Sequence, residues 1–194
     1  MADLVQQPLV MQGAGWADYG LIDSGHGRKL ERYGPHRFIR PEGQALWSPR
    51  LSEWRADGEF VPGSDEDGGG RWQFSREVPR EGWPLAWNET RFTAQCTPFR
   101  HLGFFPDMAP VWDWMHAQLQ SPPPLQGRGS GGGGHEQTPT DPRPNPSPEG
   151  EGLSTLNLFG YTGVGTLALS ECGPVTHVDA SKKSVAQARD KAAW

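Results

Sequence analysis

The chain has 194 residues, of which 26 are glycine and 19 proline, while hydrophobic residues reach only 35%. That apolar share is below the ~45–50% of an ordinary globular domain, a scale that also counts glycine, and it excludes one core filled over the whole length. Eighteen Lys and Arg against 23 Asp and Glu give a net charge of −5. This excludes a chain held to nucleic acid by overall charge alone, and no apolar run approaches the ~20 residues of a membrane helix.

The N-terminus carries no arginine before Arg28 and no long apolar run, so neither a secretory signal nor a transit peptide is expected. Two cysteines far apart, Cys96 and Cys172, suit a reducing compartment. The expected setting is cytoplasmic.

Eight of the nine tryptophans fall between Trp16 and Trp114, and the region 14–98 reads as a small aromatic-rich β domain. A short apolar run at 19–23 closes at Ser24-Gly25. Alternation at 28–33 and 36–40 points Leu30, Tyr33, Phe38 and Ile39 inward, with Gly34-Pro35 as the turn between them. Residues 71–75 and 90–94 alternate as well, and 64–70 reads as an exposed acidic loop. A small antiparallel sheet or partial barrel is expected, its core supplied by aromatic rings. Seven basic residues lie from Arg28 to Arg55 (Arg28, Lys29, Arg32, Arg37, Arg40, Arg50, Arg55) against three acidic ones. They read either as a local basic face for a polyanion such as RNA or, more plainly, as a solvated strand face.

A connecting segment and helix occupy 99–120. Met108, Val111, Trp112, Met115 and Leu119 recur at helical spacing and predict a helix over 107–120, with Pro110 in its first turn. Composition then changes. Gly and Pro make up 16 of the 32 residues 121–152, too little apolar surface to offset the entropy of ordering, so a disordered linker is expected.

Residues 153–194 alternate strand and helix. An apolar strand at 153–159 leads into a glycine turn at 160–165 and a helix at 166–171. A second strand at 175–179 leads into a helix at 181–193, with Ser181 as its N-cap. This is a βαβα unit with a parallel strand pair. Asp179, ending the second strand, lies 16 residues after Gly163. An acid there stands beside the glycine turn and can accept both hydroxyls of a ribose. The glycine spacing is G-x-x-G-x-G rather than the dinucleotide fingerprint G-x-G-x-x-G. A pocket for an adenosine-type cofactor and a bare strand–helix turn both remain open on spacing alone.

Leu156-Asn-Leu-Phe-Gly-Tyr-Thr-Gly163, followed by Thr176-His-Val-Asp-Ala-Ser-Lys182, resembles the cofactor-binding core of class I S-adenosylmethionine-dependent methyltransferases. The likeness is greatest to the group of ribosomal RNA cytosine-C5 methyltransferases and their relatives. Gly103-Phe-Phe-Pro-Asp107 is similar to that group's G-x-F/Y-x-D segment. The resemblance implies that Phe159, Tyr161 and Gly163, with Asn157 and Thr162 of the same motif, surround S-adenosylmethionine. It also implies that Asp179 holds the ribose, that Ser181 stands near it, and that Phe105 and Asp107 belong to the methionine end. Val164 stands where the group carries a second glycine.

The fold class expected is α/β: the β domain followed by the first βαβα of a Rossmann-like methyltransferase sheet, incomplete at its C-terminal side. Relatives carry a D/N-P-P run after the fourth strand, and the cytosine-C5 enzymes a nucleophilic cysteine in later strands. Ser121-Pro-Pro-Pro124 belongs to the linker, and Cys96 and Cys172 lie elsewhere, so no catalytic residue is named. The function expected is methyl transfer from S-adenosylmethionine to RNA. The alternatives are a catalytically inactive truncated product or binding module, and a nicotinamide-dependent dehydrogenase. Zinc at Cys96, His101, Cys172 and His177 is disfavoured, because no C-x-x-C or H-x₃-H pair supports it.

Overall fold

The computed structural model describes residues 10–63, 69–120 and 154–192. Most of the expected acidic loop, the expected linker 121–152 and residues 153, 193 and 194 lie outside the described residues.

Seven strands come first: β1 Tyr19–Gly25, β2 Arg28–Tyr33, β3 His36–Pro41, β4 Gly58–Pro62, β5 Gly70–Phe74, β6 Trp83–Trp87 and β7 Thr90–Ala94. β1 to β5 form one open sheet in chain order, and β6–β7 a separate hairpin. Turn chemistry fixes the registers. His26 and Gly27, both with positive φ, join β1 to β2 as a two-residue turn of the I′ kind. Gly34-Pro35 joins β2 to β3, with Gly34 at φ 60°.

The sheet is mixed, not antiparallel as expected, because β3 and β4 run parallel. A parallel pair needs a crossover, and residues 42–57 supply it. This connection is tied to the sheet at Asp23, whose carboxylate accepts from the backbone N–H of Leu51 at 2.8 Å, that of Arg50 at 3.2 Å and Trp54 Nε1 at 2.8 Å. Those bonds, that of Leu51 first, hold the Asp23 pKa down at about 2. Leu30 pairs with Ile39 and Asp23 with Leu30, so Leu30 and Ile39 face this crossover. Tyr33 and Phe38 face the opposite side, which is the main core. All four are buried, but on two faces rather than one.

Strands β4 and β6 were not among the expected elements. Gly58 and Pro62 bracket β4, and Pro84 interrupts β6. Pro84 is exposed within the hairpin, a position where a missing N–H is tolerated.

After a 3₁₀ turn at Pro106–Met108 come α1 Ala109–Gln120, β8 Thr155–Leu158, α2 Val164–Ser170, β9 Val175–Val178 and α3 Lys182–Ala192. β8 and β9 pair in parallel, as the βαβα reading requires. Val164 opens α2 and is buried; its helical backbone, unlike the left-handed one of Gly163, does not call for glycine. The core is continuous from Tyr33 and Phe38 through Trp83, Phe92, Phe104 and Trp112 to Val164 and Ala168. Its rings meet edge-on or tilted, as Phe92 and Phe104 do at 4.8 Å. Trp16, Trp72 and Trp83 each donate their indole N–H to a backbone carbonyl.

Within that core Glu31 is fully buried and forms a two-point ion pair with Arg40 at 2.7 and 2.9 Å. Tyr19 donates to the same carboxylate at 2.9 Å. Arg40 is thus an internal cation. Arg28 pairs with Glu59, Lys29 with Glu42 and Arg55 with Glu53, so opposite charges accompany much of the Arg28 to Arg55 stretch. On β8–β9 one face carries Leu156, Leu158 and Val178, all exposed. No helix among the described residues is long and apolar enough to cross a membrane.

Candidate functional site

The site grows from the link between β8 and α2. Phe159 and Tyr161 both adopt left-handed backbone, φ 56° and 51°, a region that costs a bulky residue on the order of 1–3 kcal/mol. Four contacts over-determine this shape. Gly160 N–H donates to the Val178 carbonyl at 3.0 Å and Gly163 N–H to the Gly160 carbonyl at 3.0 Å. Tyr161 N–H donates to Asp179 Oδ2 at 2.9 Å. Thr162, fully buried, donates its hydroxyl to the Gly103 carbonyl.

Two glycines are needed here for different reasons. A Cβ on Gly160 would stand 2.4 Å from the His177 ring. Gly163, at φ 89°, lies against Ala188 of α3, where a Cβ would come within 2.7 Å. The turn is therefore pressed onto both β9 and α3.

Asp179 sits at the end of β9. Ser181 N–H donates to its Oδ1 at 2.8 Å, and Tyr161 N–H takes its Oδ2. These bonds, that of Ser181 first, hold the carboxyl below its usual range. Each oxygen keeps a lone pair, so an ionised carboxylate with spare acceptor capacity stands beside the turn. Ser181 caps α3, its Oγ accepting from Ser184 N–H at 3.2 Å.

A cleft of about 160 Å³ lies between this turn and α1, lined by Phe105, Met108, Trp112, Met115, Asn157 and Tyr161 among others. Phe105 and Tyr161 meet at 5.1 Å between ring centroids. Phe159 also lines it and is 87% exposed. Beneath the turn Asn157 Nδ2 donates to Thr166 Oγ1 at 2.9 Å, and Thr166 Oγ1 meets His177 Nδ1 at 2.7 Å. Among the described residues His177 Nε2 is buried without a partner.

The expected residues thus divide. Phe105, Asn157, Phe159 and Tyr161 come together around the cleft, with Thr162 lining it while its hydroxyl ties the turn to Gly103. Asp179 and Ser181 stand across the turn from them. Gly163 lies behind it, and Asp107 is exposed on the 3₁₀ turn, outside the cleft lining.

Sequence reasoning used Met108, Trp112 and Met115 only to place a helix; they line the cleft. It missed Lys191, whose Nζ donates to Thr162 Oγ1 at 2.8 Å and whose pKa burial lowers to about 8. A lysine in the last turn of a polar helix gives no signal of that contact. The four conceivable zinc ligands form no metal site: among the described residues no group of three or more His, Cys, Asp or Glu converges. Burial pushes the Cys96 thiol up to about 12.

No protein-family model matches the chain, and no curated protein sequence matches it. Among solved structures, the S-adenosylmethionine-dependent methyltransferase from Agrobacterium tumefaciens is 37% identical with TM-score 0.73, over 96% of this chain and 51% of that one. A candidate S-adenosylmethionine-dependent methyltransferase from Streptococcus mutans is 14% identical with TM-score 0.55, over 92% of this chain and 43% of that one. A candidate methyltransferase designated SMU.776, complexed with S-adenosylhomocysteine, is 14% identical with TM-score 0.55, over 92% and 42%. The latter two likenesses concern the fold. The chain spans about half the length of these proteins. By sequence and fold together, the chain is similar to about half of an S-adenosylmethionine-dependent methyltransferase.

Proposed function

We propose that the chain binds S-adenosylmethionine at the Phe159–Gly163 turn and Asp179, and that this site serves methyl transfer to RNA in a cytoplasmic setting. The observation that carries the reading is Asp179: an ionised carboxylate, fixed by two backbone N–H groups, beside a strand–turn–helix. The 37% identity to a methyltransferase supports it. The two free cysteines suit the setting.

The residues present fit the cofactor. Asp179 has acceptor capacity for two ribose hydroxyls, and Gly160 and Gly163 keep the turn free of side chains that would push it off β9 and α3. Phe105, Trp112 and Tyr161 offer apolar walls. When bound, the cofactor would be held by Asp179 at its ribose and by the Phe105, Trp112 and Tyr161 walls, and would supply an electrophilic sulfonium methyl group. The part this chain plays is positioning. Asp179 anchors one end, and the aromatic walls orient the other and exclude water.

Calorimetry of the chain with S-adenosylmethionine tests this. Wild type is expected to bind, and Asp179→Ala to bind roughly tenfold or more weakly, the scale of hydrogen bonds to a charged group. Equal affinities for the two proteins would overturn the reading.

A further inference from the structure

Lys191 reaches inward from the last turn of α3. Its Nζ donates to Thr162 Oγ1 at 2.8 Å and, more weakly, to the Gly103 carbonyl at 3.4 Å. The Thr162 hydroxyl donates to that same carbonyl. One amine thus ties α3 to the Phe159–Gly163 turn and to the segment before the 3₁₀ turn. It also lines a cleft of about 290 Å³, walled by Thr93 on β7 and by Gln187 on α3 among others. That volume lies just under the ~300–1,000 Å³ of sites for whole small molecules, so it suits a short group attached to the lysine.

The chain has four lysines, Lys29, Lys182, Lys183 and Lys191. Lys29 is held between Glu31 at 3.6 Å and Glu42 at 3.1 Å. Lys182 and Lys183 are exposed in the first turn of α3. Lys191 is half-buried and opens onto the cleft. Burial lowers its pKa to about 8. At pH 8 about half of it is therefore free amine, against about one part in 250 at the ordinary lysine value of ~10.4. The free amine is the nucleophilic form. Glu81 and Asp190 also line the cleft. A carbamate on Lys191 would add a third negative charge beside these two carboxylates. An amide is neutral, and its oxygen can accept from Gln187 or the Thr93 hydroxyl.

We propose that Lys191 is a modification site that takes a short acyl group from an acyl thioester, and that the acyl group loosens the glycine turn. The amine nitrogen attacks the thioester carbonyl: the N–C bond forms, the C–S bond breaks, and the amine's proton leaves with the thiol. Lys191 exchanges the charge and three donors of an ammonium for the single N–H of a neutral amide. That N–H cannot serve both Thr162 Oγ1 and the Gly103 carbonyl. The hold of α3 on the turn is then reduced to the packing of Gly163 against Ala188. The modification site stands on the geometry of α3 and the cleft; its effect on the cofactor rests on the reading that the turn binds S-adenosylmethionine.

The test incubates the full chain with the acetyl thioester of N-acetylcysteamine at several pH values and follows each lysine by peptide mass spectrometry. At pH 8 Lys191 is expected to acetylate roughly tenfold faster than Lys182 and Lys183, the gain in free amine less the lower nucleophilicity of a weaker base. Its rate is expected to level off above about pH 8. Calorimetry then gives the S-adenosylmethionine affinity before and after treatment, with Lys191→Arg treated in parallel to carry the other adducts. The treated wild type is expected to bind roughly fivefold more weakly, the scale of one lost hydrogen bond. Treated Lys191→Arg is expected to match its own untreated value. Acetylation of Lys191 no faster than of Lys182 and Lys183 overturns the site. Equal losses in the two treated chains, or no loss in the wild type, overturn its hold on the turn. If Lys191 acetylates first while the untreated chain fails to bind S-adenosylmethionine, the site stands and the methyl-transfer reading falls.

Discussion

Tyr161 and Asp179 are locked together: the backbone N–H of the first donates to Oδ2 of the second at 2.9 Å. The turn and the end of β9 cannot shift independently. Because the Asp179 pKa is lowered in the folded chain, the carboxylate is present above its unfolded value of ~3.9 and is lost only as pH falls through the lower folded value. Affinity for S-adenosylmethionine is expected to be flat from about pH 8 to about pH 5 as far as this group is concerned. Calorimetry across that range checks it; a fall assigned to Asp179 by its absence in Asp179→Asn, centred near neutrality, would contradict it.

The Glu31–Arg40 pair makes a prediction about stability. Its side chains are 0% and 5% exposed, so removing one partner strands a charge. Arg40→Met and Glu31→Gln are each expected to cost about 3–5 kcal/mol, and the double variant carrying both less than the sum. Urea unfolding of the four proteins measures the cycle.

Gly163 and Gly27 separate strain from collision. Both have positive φ, but a Cβ on Gly27 meets open space, whereas one on Gly163 strikes Ala188 at 2.7 Å. Gly27→Ala is expected to cost about 1–2 kcal/mol, the backbone penalty alone. Gly163→Ala is expected to cost more and to weaken S-adenosylmethionine binding, because α3 and the turn must part. Thermal melts and calorimetry together distinguish the two.

Lys191 predicts a pH dependence of the opposite kind. Burial depresses its pKa to about 8, against ~10.4 unfolded. Between these values the unfolded chain binds more protons, so this group makes stability rise with pH from about 8 to about 10. Lys191→Met is expected to remove that rise. Denaturant midpoints at several pH values, wild type against variant, give the comparison.

The βαβα unit, its parallel pair and the Ser181 cap were legible in the sequence, because their signals are local: apolar runs, glycines and a capping serine. The first three strands were legible for the same reason, down to the Gly34-Pro35 turn. The parallel β3–β4 contact was not, since it depends on Asp23 gathering the N–H groups of residues 50 and 51 from far along the chain. The two-faced burial of Leu30 and Tyr33 escaped for the same cause, because a crossover covers the face that alternation assigns to solvent. At the site, the resemblance named the turn and Asp179, but the cleft wall from α1 and the reach of Lys191 to Thr162 are products of tertiary packing and leave no mark on local pattern.

Among the described residues nothing covers the face of Leu156, Leu158 and Val178, and this has a practical consequence. Parallel strands are ordinarily covered on both sides, and an uncovered apolar ladder adheres to its like. Purified alone, the protein will have a concentration above which light scattering climbs, and a charge introduced at Leu156 or Leu158 will raise that ceiling while leaving the glycine turn intact.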